Sequence, residues 1–245
     1  LKRLERFAGL LLILFVIAAC GQQAQEAAME EEEPAATETE METTSAVRQA
    51  YPNLTSNVVF ENDQLIAQHV TAEPGVWAGE HSHSGDQIAV VLKGGTEIGR
   101  EGGEETERTF ADGEVVAVEP TAAHDHMFSG DGAEFVLITL APGQPGAATP
   151  QDYPNNPAEV VAENDRVIAQ RLISEPGSDW VGEHAHPGGQ FVVVLKGGTV
   201  IYREGGEETE RTFAPGDVFM VEATAAHDHH AIGDSSVESI LLTLK

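Results

Sequence analysis

Cysteine is nearly missing from this chain: among 245 residues there is one, Cys20. A single thiol excludes an intramolecular disulfide and a thiolate-rich zinc site. Positive charge is scarce as well. Four lysines (Lys2, Lys93, Lys196 and Lys245) and 13 Lys plus Arg in all stand against 41 Asp plus Glu, a formal net charge of −28. Such a surface is repelled by phosphate backbones and anionic headgroups, which excludes nucleic-acid partners and electrostatic adsorption to lipid. It is also the composition expected of a protein from a saline habitat. No stretch carries a convincing helical period, which argues against a helical bundle or coiled coil.

Long apolar runs are rare too. The one near the start, Ala8 to Ala19, follows Lys2, Arg3 and Arg6 and closes in Ile17-Ala18-Ala19-Cys20-Gly21. A basic stretch, a short apolar run and small residues at a cut describe a secretory signal over residues 1–20, too short for a comfortable membrane span. With Cys20 at the cut, the segment resembles the lipobox of bacterial lipoproteins. That resemblance implies lipid on Cys20, a membrane anchor without a spanning helix, and a place in the cell envelope, on the periplasmic face or the cell surface. Residues 21–50 are rich in Glu, Ala, Thr and Gln, with the run Glu30-Glu31-Glu32-Glu33, and show no hydrophobic period. They are expected to form an acidic, disordered tether.

What the chain has in concentrated form is histidine. Nine of its ten histidines fall in clusters, leaving only His69 outside. His81 and His83 stand two apart, as do His184 and His186, and 41 residues separate His83 from His124 and His186 from His227. On extended backbone, residues i and i+2 project from one face, so each pair reaches one point in space. Three neutral imidazoles around a point suit a divalent transition metal. The other reading of such a cluster is a polar barrel interior with no ion, which leaves buried ring nitrogens unsatisfied at about 1–3 kcal/mol each. His126 and His229, two beyond the third histidine, either share the interior as partners or acid–base groups or lie exposed at a strand end. Glu80, Glu183, Asp125 and Asp228 alternate with the histidines and are expected to face away. Trp77 and Trp180 either roof the pocket or pack under a loop.

The sequence also repeats itself. Tyr51-Pro52-Asn53 returns as Tyr153-Pro154-Asn155, and all of Glu101 to Ala111 returns unchanged as Glu204 to Ala214. This is a tandem duplication, with domains over 51–142 and 153–245 joined by a Pro/Gly-rich linker over 143–152. Within each unit, short apolar runs such as Gln87 to Leu92 and Glu134 to Leu140 are bounded by Gly-Gly, Gly-Asp-Gly or Pro-Gly, which predicts an all-β sandwich or barrel. Gly102-Gly103 and Gly205-Gly206 read as tight hairpin loops. The runs around Val90 and Val193 are nearly continuous, as expected of strands covered on both faces: one face lines the barrel, the other meets the sister domain or a second chain.

These residues resemble the cupin superfamily. Its first motif is matched by Gly75, His81, His83, Gln87 and Gly94, and again by Gly177, His184, His186, Gln190 and Gly197 with one residue inserted. Its second motif is matched at Gly113 and His124 and at Gly216 and His227, with Glu119 and Glu222 where proline is usual and Thr121 and Thr224 in place of a glycine. The resemblance implies two tandem cupin-type jelly-roll β-barrels, a bicupin, each with one divalent transition metal (Zn, Mn, Ni, Cu or Fe) on His81, His83 and His124 or on His184, His186 and His227. The family's fourth ligand, glutamate, is Gln87 and Gln190 here. An amide leaves the ion its full charge and is a weak or displaceable ligand. If the chain crosses the membrane unfolded, availability favours zinc, nickel or copper over iron.

Two functions follow as expectations. One is an exported metal-dependent oxidoreductase of the dioxygenase type acting on a small organic molecule. The other is an envelope protein that binds metal or a small ligand without turnover, favoured by two near-identical sites and by the lack of an obvious general base on the metal-facing strands. A homodimer or an intramolecular domain pair would cover the outer sheet faces.

Overall fold

β-Branched and aliphatic runs separated by glycine turns form strands throughout. The structure, a computed structural model, describes residues 46–143, 146–186 and 188–245. Residues 1–45, which hold the expected signal over 1–20, the expected lipidation at Cys20 and most of the expected tether, lie outside the described residues. The first half contains β1 (Thr55–Glu61), β2 (Leu65–Ala72), β3 (Gln87–Lys93), β4 (Gly95–Glu101), β5 (Glu104–Phe110), β6 (Val115–Val118), β7 (His124–Ser129) and β8 (Ala133–Leu140). The second repeats them as β9 (Glu159–Glu163), β10 (Val167–Ser174), β11 (Gln190–Lys196), β12 (Gly198–Glu204), β13 (Glu207–Phe213), β14 (Val218–Val221), β15 (His227–Ile232) and β16 (Val237–Leu244). Among the described residues every regular element is a strand, and no helix is long and apolar enough to cross a membrane.

Each half is a two-sheet jelly roll. A five-stranded sheet runs β1-β2-β8-β3-β6 and a three-stranded sheet β5-β4-β7; the second half repeats this as β9-β10-β16-β11-β14 and β13-β12-β15. The β4–β5 and β12–β13 hairpins turn on Gly102-Gly103 and Gly205-Gly206, with all four residues at positive φ. That is the type I′ turn, whose backbone twist suits a two-residue hairpin and which glycine adopts without a Cβ penalty.

The continuous apolar strands are covered on both faces. Ile88 and Val90 of β3 join Leu65, Val136 and Ile138 in one buried cluster with Phe191 and Val193 of β11 and Ile240 and Leu242 of β16. The two large sheets therefore share a core between the halves, and the intervening residues Ala89 and Val91 face the first barrel. At the rim, Arg166 pairs with Asp86 at 3.0 Å and donates to the Ala141 carbonyl at 2.9 Å.

The expected tether, residues 21–50, makes contact with the first unit at its end: Gln49 N–H donates to Gln68 Oε1 (2.8 Å), and Gln68 Nε2 donates back to the Gln49 carbonyl (2.9 Å). Gln151, placed in the linker, makes the same exchange with Gln170 (2.6 and 3.0 Å). A buried glutamine amide satisfies a backbone N–H and C=O together, which secures a segment that has little apolar surface to bury.

Candidate metal centres

His81 and His83 lie just before β3 on extended backbone that bridges to the start of β7, with His81 and His124 exchanging backbone hydrogen bonds of 2.9 and 2.8 Å. Alternation holds: His81 and His83 are buried while Ser82 between them is exposed. The structure brings one ring nitrogen each from His81, His83 and His124 within 4.8 Å of one another, and likewise from His184, His186 and His227.

The back of each ring is tied down. His81 Nδ1–H donates to the Gly79 carbonyl at 2.7 Å, His83 Nδ1–H to Gln87 Oε1 at 2.7 Å, and His124 Nδ1–H to the Ala122 carbonyl at 3.1 Å. His184, His186 and His227 repeat this with Gly182, Gln190 and Ala225. A carbonyl can only accept, so these bonds fix the Nδ1–H tautomer and leave Nε2 with a free lone pair. Nε2 of His81 and of His184 is buried with no hydrogen-bond partner. An orphaned imidazole nitrogen beside two more is a donor set that a divalent ion fits. Gly79 sits at φ +86°, where a Cβ would come within 2.8 Å of Pro52, so the turn that aims its carbonyl at His81 needs glycine.

Electrostatics agree with this geometry. Burial pushes His83 and His186 down to about 4, against the partial upward pull of the glutamine bond. His81 and His184 are lowered for the same reason, with the Gly79 and Gly182 carbonyls opposing. All four rings are held neutral, as ligands must be.

Gln87 and Gln190 turn toward the backs of His83 and His186. The Gln87 orientation follows from its neighbours: Nε2 donates to Thr139 Oγ1 (3.0 Å) and Gln49 Oε1 (3.1 Å), which leaves Oε1 for the ring. Thr121, one of the departures from the family motif, accepts His83 N–H at 3.1 Å and sits 3.1 Å from His124 Nδ1, linking two members of the trio.

His126 and His229 are buried, 6 % and 9 % exposed, with rings 4.9 and 5.3 Å from those of His81 and His184. They line the interior, and burial pushes both down to about 3. Asp125 does not face empty solvent: its Oδ1 accepts the N–H groups of Gly79 and His126, both at 2.9 Å, and so braces the turn under His81; Asp228 repeats this with Gly182 and His229. Glu80 and Glu183 are exposed. Trp77 and Trp180 pack under Arg100 and Arg203 at 4.1 and 3.7 Å.

Sequence reasoning missed two kinds of residue. Tyr51 and Tyr153 place their rings edge-on to His81 and His184 at 4.8 and 4.7 Å, and their repeated Tyr-Pro-Asn context was the available signal. Glu97 on β4 lines a chamber of about 330 Å³ that opens beside His83, His124 and His126. A carboxyl group therefore does stand on the interior of the first barrel, contrary to the expected lack of a general base. Burial raises the Glu97 carboxyl above its usual range, opposed by Arg108 and His124. The two halves also differ more than their histidines suggest, because the corresponding space in the second barrel is only about 40 Å³.

The family model described as "Cupin domain" matches residues 68–141 and 171–243. No curated protein matches the chain. Among solved structures it is similar to AerE from Microcystis aeruginosa (12 % identity, TM-score 0.58, covering 83 % of this chain and 99 % of that one). It is also similar to the oxalate decarboxylase–formate complex of Lactobacillus farciminis (14 %, 0.55, 82 % and 83 %) and to the oxalate decarboxylase of Bacillus subtilis at pH 4.6 (13 %, 0.53, 83 % and 78 %). At these identities the likeness carries the fold and leaves activity open. With one match of the family model on each jelly roll and a histidine trio in each, the chain belongs to the cupin family, as a tandem pair of its domains.

Proposed function

We propose that this is an exported, lipid-anchored metalloprotein whose first domain is a metal-dependent oxidoreductase of the dioxygenase type, acting on a small organic molecule. The observation that carries this reading is the first trio's opening onto a chamber of about 330 Å³, within the range of small-molecule sites. His81, His83 and His124 would hold the ion there, and His184, His186 and His227 a second one. When bound, a redox-active ion supplies a Lewis acid and an electron relay for substrate and oxygen. The chain's own residues do the rest. Gln87 and the Gly79 carbonyl hold the rings by their Nδ1–H groups, Tyr51 covers one side of His81, and the apolar walls restrict water. The Glu97 carboxyl, whose proton affinity burial raises, can give or take a proton at Oε within the chamber. Export through the signal over residues 1–20 and lipid on Cys20 would place this chemistry in the cell envelope.

The test is elemental analysis of envelope-derived protein followed by oxygen uptake with phenolics and small organic acids. Two ions per chain and uptake that stops on chelation are expected. A fully metallated protein that turns over nothing on a broad panel overturns the enzyme reading. In its place would stand a non-catalytic envelope protein that binds metal or a small ligand, a reading favoured by one observation: the second trio repeats the geometry of the first, while the cavity in its barrel is only about 40 Å³. Substituting His81 and His83 together separates the two, since an enzyme loses activity and a binder loses only metal.

A further inference from the structure

The two barrels keep the same ligands and differ in their walls. Each strand of the second half has a register partner in the first, so wall residues can be compared one by one. Glu97 of β4 pairs across to Arg108 and Phe128; Val200 of β12 holds the same place opposite Arg211 and Ala231. Gly99 pairs with His126, and in its place Tyr202 pairs with His229, its ring 5.4 Å from the histidine's. Val116 of β6 becomes Phe219 of β14, and Ala89 of β3 becomes Val192 of β11. Val200, Tyr202, Phe219 and Val192 all line the remnant of about 40 Å³, room for about one water; an apolar cavity of roughly 150 Å³ already takes benzene. The chamber of about 330 Å³ in the first barrel holds a substituted ring with space to spare.

The first chamber also carries a polar group with no internal partner. Arg108, across the strand from Glu97, turns instead to Glu114 at 3.1 Å and lies over Phe110 at 4.4 Å. Among the described residues no side chain hydrogen-bonds the Glu97 carboxyl group, which is half-buried on the wall of a chamber lined by Val91, Phe110, Phe128 and Phe135 on its apolar side and by Arg108 and the histidines on its polar side. A carboxyl without a protein partner on the wall of an open chamber is an acceptor that a ligand's donor can complete.

We propose that the first barrel alone is a ligand site, for a compact molecule with an apolar body and a hydroxyl or amino donor received by Glu97, and that Tyr202, Val200 and Phe219 close the second barrel to it. A carboxylate placed beside Glu97 would meet like charge, so a small dicarboxylate gains nothing from this group. The inference rests on the site used in the proposed function, yet stands or falls separately from turnover.

Calorimetric titration of the protein as purified, with benzyl alcohol, benzylamine, toluene and succinate as probes and metal content measured alongside, tests it. One equivalent of benzyl alcohol or benzylamine per chain is expected, with toluene weaker and succinate not bound in the chamber. Their relative affinity tells a hydroxyl donor from an amine. Glu97→Val, which installs the residue the second barrel already has, should weaken both donors about tenfold or more and leave toluene within twofold. Gly99→Tyr should abolish binding of benzyl alcohol, benzylamine and toluene with metal content unchanged, and Tyr202→Gly should raise the stoichiometry toward two. Two equivalents bound by the unaltered protein, no binding of any probe, or an unchanged donor preference in Glu97→Val would overturn the proposal. One-site binding by a protein that proves metal-free or without turnover would leave it standing and remove the oxidoreductase reading instead.

Discussion

Replacing Gln87 by leucine keeps the side chain's bulk and removes three hydrogen bonds at a residue only 2 % exposed. Two consequences can be measured separately. Without metal, the buried Nδ1–H of His83 and hydroxyl of Thr139 lose their partner, at about 1–3 kcal/mol each, with the lower end favoured because the hydroxyl can rotate. The loss in unfolding free energy should therefore be roughly 2–4 kcal/mol, read from denaturant titration. With metal, His83 loses the group that orients its ring, and removing such partners typically costs 10- to 100-fold in affinity. Cobalt(II) titrated in competition with a chromophoric chelator should then show one weakened site and one unchanged site. Gln190→Leu should weaken the other, and the double variant both. Gln87→Glu runs the opposite way, since a carboxylate strengthens the bond to His83 and lowers the site's net charge; affinity should rise at least tenfold. If cobalt affinity in Gln87→Leu stays within twofold while stability falls, the amide is a packing element and the metal-centre argument loses its support.

Phe191 is fully buried in the core shared by the two halves and lies 5.2 Å from Phe60, so Phe191→Ala should cost about 3–5 kcal/mol and lower the melting of both halves in one transition by calorimetry. On acidification, His83 and His186 (about 4) and His126 and His229 (about 3) stay neutral when folded, while the unfolded chain protonates near 6.5. The unfolded state thus binds more protons, stability is full above about pH 6.5, and each ring removes up to about 1.4 kcal/mol per pH unit below it, until its folded value is reached. Urea midpoints at pH 7.5, 6 and 5 check the sign, and a flat profile would contradict the burial of these rings. The net charge of −28 predicts a higher melting temperature in molar salt than in dilute buffer, measured by thermal scans across a potassium chloride series.

The duplication, the strands and the histidine trios were legible because each rests on a pattern local in sequence: a repeat at fixed offset, apolar runs between glycine turns, and two histidines sharing one face of extended backbone. The continuous runs around Val90 and Val193 even announced the core between the halves. What could not be read depended on distance. Gln49 looked like tether because composition cannot register a glutamine 19 residues away, Gln68, that takes up its backbone groups. The role of Gln87 was hidden for the same reason, since a residue four positions past a ligand can reach either the ion or the ligand's back, and Thr139 and Gln49 decide which.

Glu97 is the most instructive case. In Thr96-Glu97-Ile98 a charged residue flanks an isoleucine, and hydropathy alone assigns the isoleucine to the interior. The register does the reverse: Glu97 shares its face with Gly99, and that face looks into the chamber. Such an inversion is tolerated only where the interior is not filled, because a close-packed wall would leave the carboxyl group dry and unpartnered. The second copy supplies the control. There the glycine has become Tyr202, the space is filled, and the glutamate has become Val200. An interior carboxyl and an open chamber occur together in the first barrel, and an aliphatic residue and a closed one in the second. The duplicated sequence, aligned with itself and searched for differences as well as identities, held this signal all along: the identities locate the histidines, and the differences locate the chamber.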